Sequence, residues 1–158
     1  MIARRRAVMH LKNYKKVEQA MQDTAREMER AKAEIAAASD PRVNKYGGSA
    51  GGGYHLLSEV ESQADRRDKL GQKYRRLECE RVKMANYLRR VDRALSILTE
   101  QEREIVRAKY IDGSTWVKVA LSVGYSEGGC RRIARRAVER IAPVMDCGQY
   151  AAALEGMA

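Results

Sequence analysis

The sequence predicts an all-α protein, namely a long antiparallel helical hairpin of coiled-coil character followed by a C-terminal helix-turn-helix domain. Apolar residues recur at heptad spacing through most of residues 1–97, and runs of β-branched residues are absent. The aromatic set of eight Tyr, one Trp and no Phe leaves a core of aliphatic residues and Met, which suits packing between helices. We place the hairpin at residues 1–97, the helix-turn-helix domain at 98–143 and a flexible tail at 144–158.

The first predicted helix covers about residues 7–38 and carries an apolar stripe at heptad spacing. Ser39-Asp40-Pro41 should end it, because the residue before a proline is disfavoured in the α conformation. The stripe consists of Tyr14, Met21, Met28 and Ile35, with Val17, Thr24 and Ala31 at the intermediate positions.

A glycine-rich segment follows at residues 42–55. Five glycines lie between Tyr46 and Tyr54, which predicts a flexible loop that reverses the chain between two helices. The segment lacks the Gly-Lys-Ser/Thr ending of a nucleotide-binding P-loop, so we expect no nucleotide site here.

The heptad pattern returns from about Ser58 to Leu98, in a predicted helix roughly 60 Å long. Such a stripe needs a partner helix, which either the first helix or a second copy of the chain could supply. We expect a homodimer held by the long helices. Gly71 is a candidate kink or boundary. One seam position holds Leu70, Leu77, Met84, Val91 and Leu98, and the other holds Tyr74, Arg81, Leu88 and Leu95.

Two shorter helices are predicted next from their capping residues. Thr99 and Glu102 form a capping box for the first of them, and the turn residues Asp112-Gly113 should end it. Thr115 is a good N-cap for a helix at residues 116–122, with Trp116 expected to fill the core between the C-terminal helices.

A last helix follows a predicted tight turn at Gly124, where a residue with positive φ is required. Ser126 should cap this helix, which we expect to end near Ile141 because Pro143 stops it. Its predicted buried stripe is Cys130, Ile133, Ala134, Ala137 and Ile141, and its outer face is Glu127, Arg131, Arg132, Arg135 and Arg136.

A short helix, a glycine turn and a capped helix with a cationic outer face are typical of a helix-turn-helix, whose second helix enters the major groove of duplex DNA. The formal net charge of +10 also favours an anionic partner. Arg4, Arg5 and Arg6 would form a flexible arm that follows the DNA backbone. We expect base contacts from Glu127, Arg131, Arg132 and Arg135. We expect phosphate contacts from Lys109, Lys118, Arg136 and Arg140.

Other classes of function find little support in the sequence. Cys79, Cys130 and Cys147 are odd in number and widely spaced, which is typical of a cytoplasmic protein and favours neither a disulfide framework nor a zinc site. We find no pair of carboxylates, nucleophile with a base, or metal-ligand spacing, so we expect neither an enzyme nor a cofactor. No membrane-spanning segment or signal peptide is predicted.

Four C-terminal motifs resemble the RinA/ArpU-type regulators of phage late transcription: Leu98-Thr-Glu-Gln-Glu-Arg-Glu-Ile-Val106, Tyr110-Ile-Asp-Gly-Ser-Thr-Trp-Val-Lys-Val-Ala120, Gly124-Tyr-Ser-Glu127 and Arg131-Arg-Ile133. The C-terminal part of that family is in turn similar to sigma-factor region 4, the domain that recognises the promoter −35 element. The resemblance implies a phage or prophage protein that activates late or packaging genes at a promoter in the bacterial cytoplasm.

Two other functions remain open at this point. One is the small terminase subunit, which recognises DNA for genome packaging. The other is an interaction module whose heptad helices bind host RNA polymerase or a sigma factor. Gly128-Gly129 also has two interpretations, since the missing side chains either let the backbone approach DNA closely or reflect a loosely tolerated first turn.

Overall fold

The computed structural model describes residues 2–38 and 53–146, and every regular element in these two ranges is a helix, as predicted. Residues 42–52 of the predicted loop and the tail from Cys147 onward lie outside the described residues. The helices are α1 (Ile2–Ala38), α2 (Gly53–Ser96), α3 (Glu100–Val106), α4 (Trp116–Val123) and α5 (Glu127–Asp146). No helix within the described ranges is long and apolar enough to cross a membrane.

Contacts between residues divide the chain into two compact units. Unit 1 combines Met1–Glu18 with Asn86–Ala158, and unit 2 comprises Gln19–Ala85. Unit 1 therefore contains the start of α1, the end of α2 and the three shorter helices. No pattern in the sequence predicted that both ends of the chain would contribute to one unit.

Unit 2 carries the middle of the heptad pattern. Thr24, Met28 and Ala31 of the first predicted stripe are buried, as is Met84 of the second. The Thr24 hydroxyl donates a 2.8 Å hydrogen bond to the Ala20 carbonyl, which satisfies this buried polar group within α1. α2 starts earlier than expected, so residues 53–55 of the predicted loop are helical, and it continues through Gly71 without a boundary.

The N-terminus of α1 is an integral part of unit 1. Leu11 is fully buried, and Tyr14 donates a 3.0 Å hydrogen bond from its hydroxyl to the Asp92 carboxylate on α2. Lys15 forms a 2.7 Å ion pair with Asp112, which follows the C-terminal end of the π-helical turn described below. The expectation of a flexible basic arm at residues 4–6 is wrong, because these residues lie within α1 and Arg4 is half-buried.

A π-helical turn at Arg107–Ile111 continues α3. Its signature is a 2.9 Å hydrogen bond that Asp112 N–H donates to the Arg107 carbonyl, five residues earlier. Gly113 then ends the turn with a φ of 72°, in the left-handed region that favours glycine. The predicted stop at Asp112-Gly113 is thus confirmed, whereas the π-helical geometry before it was not predicted.

The three C-terminal helices share a small apolar core. Its fully packed residues are Ile105 of α3, Val119 of α4, and Cys130 and Ala134 of α5. Half-buried side chains surround them, including Trp116 and Ile133. Cys130, Ile133 and Ala134 of the predicted stripe therefore face this core, and Ala137 and Ile141 are buried as well.

α5 extends further than predicted. The helix continues to Asp146, so Pro143 lies inside it, and residues 144–146 are helical instead of belonging to the tail. Proline removes one backbone donor and costs about 3 kcal/mol or more within a helix. The last turn is nevertheless held by tertiary contacts, because Met145 is buried and Arg90 of α2 donates to the Val144 carbonyl.

Candidate nucleic-acid interface

Local hydrogen bonds cap the start of α4 and define the turn between α4 and α5. The Thr115 hydroxyl accepts from the Lys118 N–H and caps α4, as predicted. Gly124 ends α4 with φ 71° and ψ 24°, and its N–H donates to the Ala120 carbonyl at 3.0 Å. The Ser126 hydroxyl accepts from the Gly129 N–H at 3.1 Å and caps α5. These contacts fix the direction in which α5 leaves the turn.

α5 presents opposite faces to the core and to solvent. Cys130, Ala134 and Ala137 have no exposed surface, which anchors one side of the helix in unit 1. The outer side is cationic and exposed. The exposed residues are the predicted set Glu127, Arg131, Arg132, Arg135 and Arg136, together with Glu139.

Two of the exposed arginines form ion pairs within α5. Arg131 donates to Glu127 at 3.2 Å, and Arg135 donates to Glu139 at 3.2 Å. Both pairs are solvent-exposed, and the two residues of each pair are one helical turn apart. Each pair therefore contributes only about 0.2–0.5 kcal/mol. These ion pairs orient the two guanidinium groups, but they are weak enough for another anionic partner to replace the glutamates.

Arg132 and Arg136 have no ion-pair or hydrogen-bond partner among the residues that the structure describes. They are one turn apart on α5 and both exposed. Lys118 of α4 is likewise exposed, and its side chain has no ion pair within the described ranges. These three cations are therefore available to an external anion.

Trp116 connects the core to the cationic face. Its ring packs against the apolar core and lies edge-on to Tyr110, with ring centroids 6.4 Å apart. The Lys109 ammonium and the Arg131 guanidinium lie 5.0 and 5.8 Å from the ring centroid. Trp116 is half-buried, because the cations cover part of it and solvent reaches the rest. The sequence placed Trp116 in the core but gave no signal that it would also position Arg131.

Two of the predicted phosphate contacts have partners within the protein. Lys109 donates a 2.9 Å hydrogen bond to the Ser114 carbonyl in addition to its contact with Trp116. Arg140 donates 2.8 Å hydrogen bonds to both carboxylate oxygens of Glu102, and a 3.1 Å bond to the Ile97 carbonyl. The side chains of Lys109 and Arg140 are therefore both engaged in contacts within the protein.

Glu102 is the centre of this structural network. Its carboxylate also accepts a 3.0 Å hydrogen bond from the Thr99 N–H, which completes the predicted capping box of α3. Burial raises the pKa of Glu102, but the hydrogen bonds from Thr99 and the charge of Arg140 outweigh this effect, so the pKa is below its usual value. The network links the start of α3 to the C-terminal half of α5.

An open groove between α3, the π-helical turn and α4 is lined by two arginines that the sequence did not single out, Arg103 and Arg107. Arg107 and Lys118 both line this groove, which has a volume of about 640 Å³. Arg107 lies at helical spacing from the exposed Glu100 and Glu104, so the helical pattern could have indicated its exposure. Glu100 and Glu104 line the same groove, which makes it less cationic than the outer face of α5.

Comparison with known proteins adds family membership but no function. Neither curated proteins nor solved structures give a match. A family model described as "Protein of unknown function (DUF722)" matches residues 57–143, from the first turns of α2 to the last turn of α5. Because the matched residues make up more than half of the chain, the protein belongs to the DUF722 family.

Proposed function

We propose that this protein is a sequence-specific DNA-binding transcriptional regulator in which α4 and α5 form a helix-turn-helix and α5 enters the major groove. The observation that carries the proposal is the outer face of α5. Four arginines are exposed there, while the side that carries Cys130, Ala134 and Ala137 is buried and anchors the helix in unit 1. A rigidly held helix with a cationic outer face suits insertion into a groove lined by phosphates.

The individual side chains suggest a division of roles. Arg132 and Arg135 lie on the outermost part of α5, so we assign them to bases, where a bidentate contact with guanine contributes about 1–3 kcal/mol of discrimination. Glu127 and Arg131 lie at the start of the helix, where base edges are closest. The ion pairs of Arg131 and Arg135 are weak enough to be exchanged for such contacts.

Phosphate contacts are better assigned to Lys118 and Arg136 than to the other two predicted residues. Lys118 and Arg136 are exposed and have no ion pair within the described part of the chain. Lys109 and Arg140 would have to give up their contacts with Trp116 and Glu102 before they could bind a phosphate. We therefore propose that Lys109 and Arg140 support the interface without contacting DNA.

We also propose an antiparallel helical hairpin within unit 2 and a homodimer. A crevice in unit 2 is lined by Ile35 of α1 and by Arg67 and Gly71 of α2, which supports side-by-side packing of these helices. Leu70 and Leu77 of the predicted seam remain half-buried, so apolar surface is left for a second copy of the chain. A dimer would double the small interface of a single DNA-binding module and match an inverted repeat.

The biological setting that we propose rests on the resemblance to the RinA/ArpU-type regulators. On this basis the regulator acts on late or packaging genes of a phage or prophage, by binding a promoter or operator and by working together with host RNA polymerase. The shared motifs lie in the part of the chain that forms α3, α4 and the first turns of α5.

The test begins with selection of a binding site from a pool of randomised duplexes by the purified protein. Affinities for the selected duplex and for a scrambled duplex are then measured by fluorescence anisotropy. Arg132→Ala should lower affinity for the selected duplex about 5- to 150-fold and affect the scrambled duplex much less. Arg26→Ala is the matched control, since Arg26 is also an exposed arginine but lies in unit 2. It should leave both affinities unchanged.

Two results would contradict the proposal in different ways. If no duplex is enriched, or if the parent protein binds selected and scrambled duplexes equally, sequence-specific DNA binding is wrong and the interaction module becomes the better hypothesis. If Arg132→Ala weakens both duplexes equally, the protein binds DNA but Arg132 contacts only the backbone.

A further inference from the structure

We propose that Gly128 is the point at which α5 approaches the base-pair edges most closely, and that its missing side chain provides the clearance for this approach. The inference rests on the proposed function and adds a specificity-determining position to it. It assigns a role to a residue without a side chain, in the middle of a face otherwise formed by charged side chains.

The position of Gly128 on α5 follows from helix geometry. Gly128 and Ala137 are nine residues apart, which is two and a half turns at ~3.6 residues per turn, so they lie on opposite sides of the helix. Cys130, Ala134 and Ala137 are fully buried. Their mean direction is about 150° around the axis from Gly128, which therefore lies on the outer side of the N-terminal half of α5. Arg132 and Arg135 lie within about 40° of the direction of Gly128. A helix inserted into a groove places this side deepest.

The fold itself has no requirement for glycine at this position. A Cβ added to Gly128 would meet no atom within 4 Å, and the positive φ angles within the described residues belong to Gly113 and Gly124. Gly129 differs, because a Cβ there would lie 3.2 Å from the Ser126 hydroxyl that caps the helix. Glycine is the least favourable helix residue after proline, so at Gly128 it weakens α5 without an internal reason.

Binding of duplex DNA would explain why residue 128 is glycine. The N-terminal turns of a recognition helix come closest to the base edges in the major groove. A side chain at this position would hold the helix axis away from the base pairs and shorten the reach of the neighbouring arginines. Without it, Arg132 and Arg135 can approach guanine with both guanidinium nitrogens.

The experiment compares Gly128→Ala with Gly71→Ala as the matched control. Gly71 also lies inside a helix, and a Cβ there would also meet nothing within 4 Å, but it belongs to unit 2. Both substitutions should raise the Tm, by about 2–4 °C, because alanine favours the helix. Only Gly128→Ala should lower affinity for the selected duplex, by about 10-fold or more, since overpacking of a close contact is costly. Gly128→Leu should lower it further.

The outcomes separate this inference from the proposed function. If Gly128→Ala and Gly128→Leu bind the selected duplex as tightly as the parent while Arg132→Ala does not, the clearance role is wrong and DNA recognition by α5 stands. A lower Tm for Gly128→Ala would also overturn the inference, because the fold itself would then require the glycine. If the parent prefers no duplex, the proposed function fails and the inference fails with it.

Discussion

The ion pair between Glu102 and Arg140 should contribute to stability and leave DNA binding unaffected. Arg140 donates 2.8 Å hydrogen bonds to both oxygens of the Glu102 carboxylate and also binds the Ile97 carbonyl. Substitution of Arg140 by Gln and of Glu102 by Gln, singly and together, gives a double-mutant cycle. Glu102→Gln keeps an oxygen for the capping-box bond from Thr99, so the cycle isolates the ion pair.

The expected coupling energy follows from the exposure of the two side chains. Glu102 is 18% exposed and Arg140 is 48% exposed, so solvent screens the pair more than it would screen a buried one. Exposed pairs contribute about 0.2–1 kcal/mol, and hydrogen bonds to charged groups contribute about 1.5–3 kcal/mol when they are shielded. We therefore expect a coupling energy of about 1 kcal/mol. Glu102→Ala should lose about 1 kcal/mol more, because it also removes the capping box.

Urea unfolding at several pH values measures this coupling. The folded-state pKa of Glu102 is lowered, so the stabilisation is complete above its unfolded-state pKa, about 4.3, and is lost as the pH falls through the folded value. A coupling energy near zero at pH 7 would refute the reasoning. A loss of DNA affinity in Arg140→Gln without a loss of stability would instead favour the phosphate contact that the sequence analysis assigned to this residue.

Two further substitutions test the packing of unit 1. Leu11→Ala should lower the free energy of unfolding by about 2–5 kcal/mol, because Leu11 is fully buried; an unchanged urea midpoint would mean that the N-terminus does not pack in unit 1. Trp116→Ala should cost about 2–3 kcal/mol, less than the ~3–5 kcal/mol of a fully buried tryptophan, since Trp116 is half-buried. A Trp116→Ala protein with the parent's stability and weakened DNA binding would place Trp116 in the interface and not in the core.

Local signals predicted the helices and their caps well. The capping box at Thr99, the caps at Thr115 and Ser126 and the left-handed turn at Gly124 are all present, because each depends on a hydrogen bond or φ angle within a few residues. The heptad stripes were predicted correctly in part, since a buried helix face requires apolar residues at that spacing. Most of their residues are buried or half-buried, but Arg81 is exposed and Leu98 lies beyond the end of α2.

Long-range contacts account for what the sequence analysis missed. The Tyr14–Asp92 hydrogen bond joins residues 78 positions apart, for which no local pattern exists. Pro143 is a strong local stop signal, but the burial of Met145 and the contact from Arg90 outweigh it.

The candidate site shows the same division between local and long-range information. Helical periodicity was sufficient to place Arg132 and Arg135 on the exposed side of α5, whereas Glu127, nine residues before Arg136, lies on a different side and is exposed at the first turn of the helix. It could not indicate that Arg140 would bind Glu102, 38 residues away in the chain, or that Lys109 would lie over the Trp116 ring. A cation's role in binding depends on which acceptors lie nearby in three dimensions.

The composition of unit 1 from both ends of the chain has a consequence for protein synthesis. The first 18 residues leave the ribosome long before the segment that begins at Asn86, with which they pack. At ~5–20 residues per second, about 3–14 s pass between the synthesis of Glu18 and that of Asn86. During this interval the apolar face formed by Ala7, Leu11 and Val17 has no partner from the same unit. A nascent chain that stops before Asn86 would therefore expose that face to chaperones and proteases.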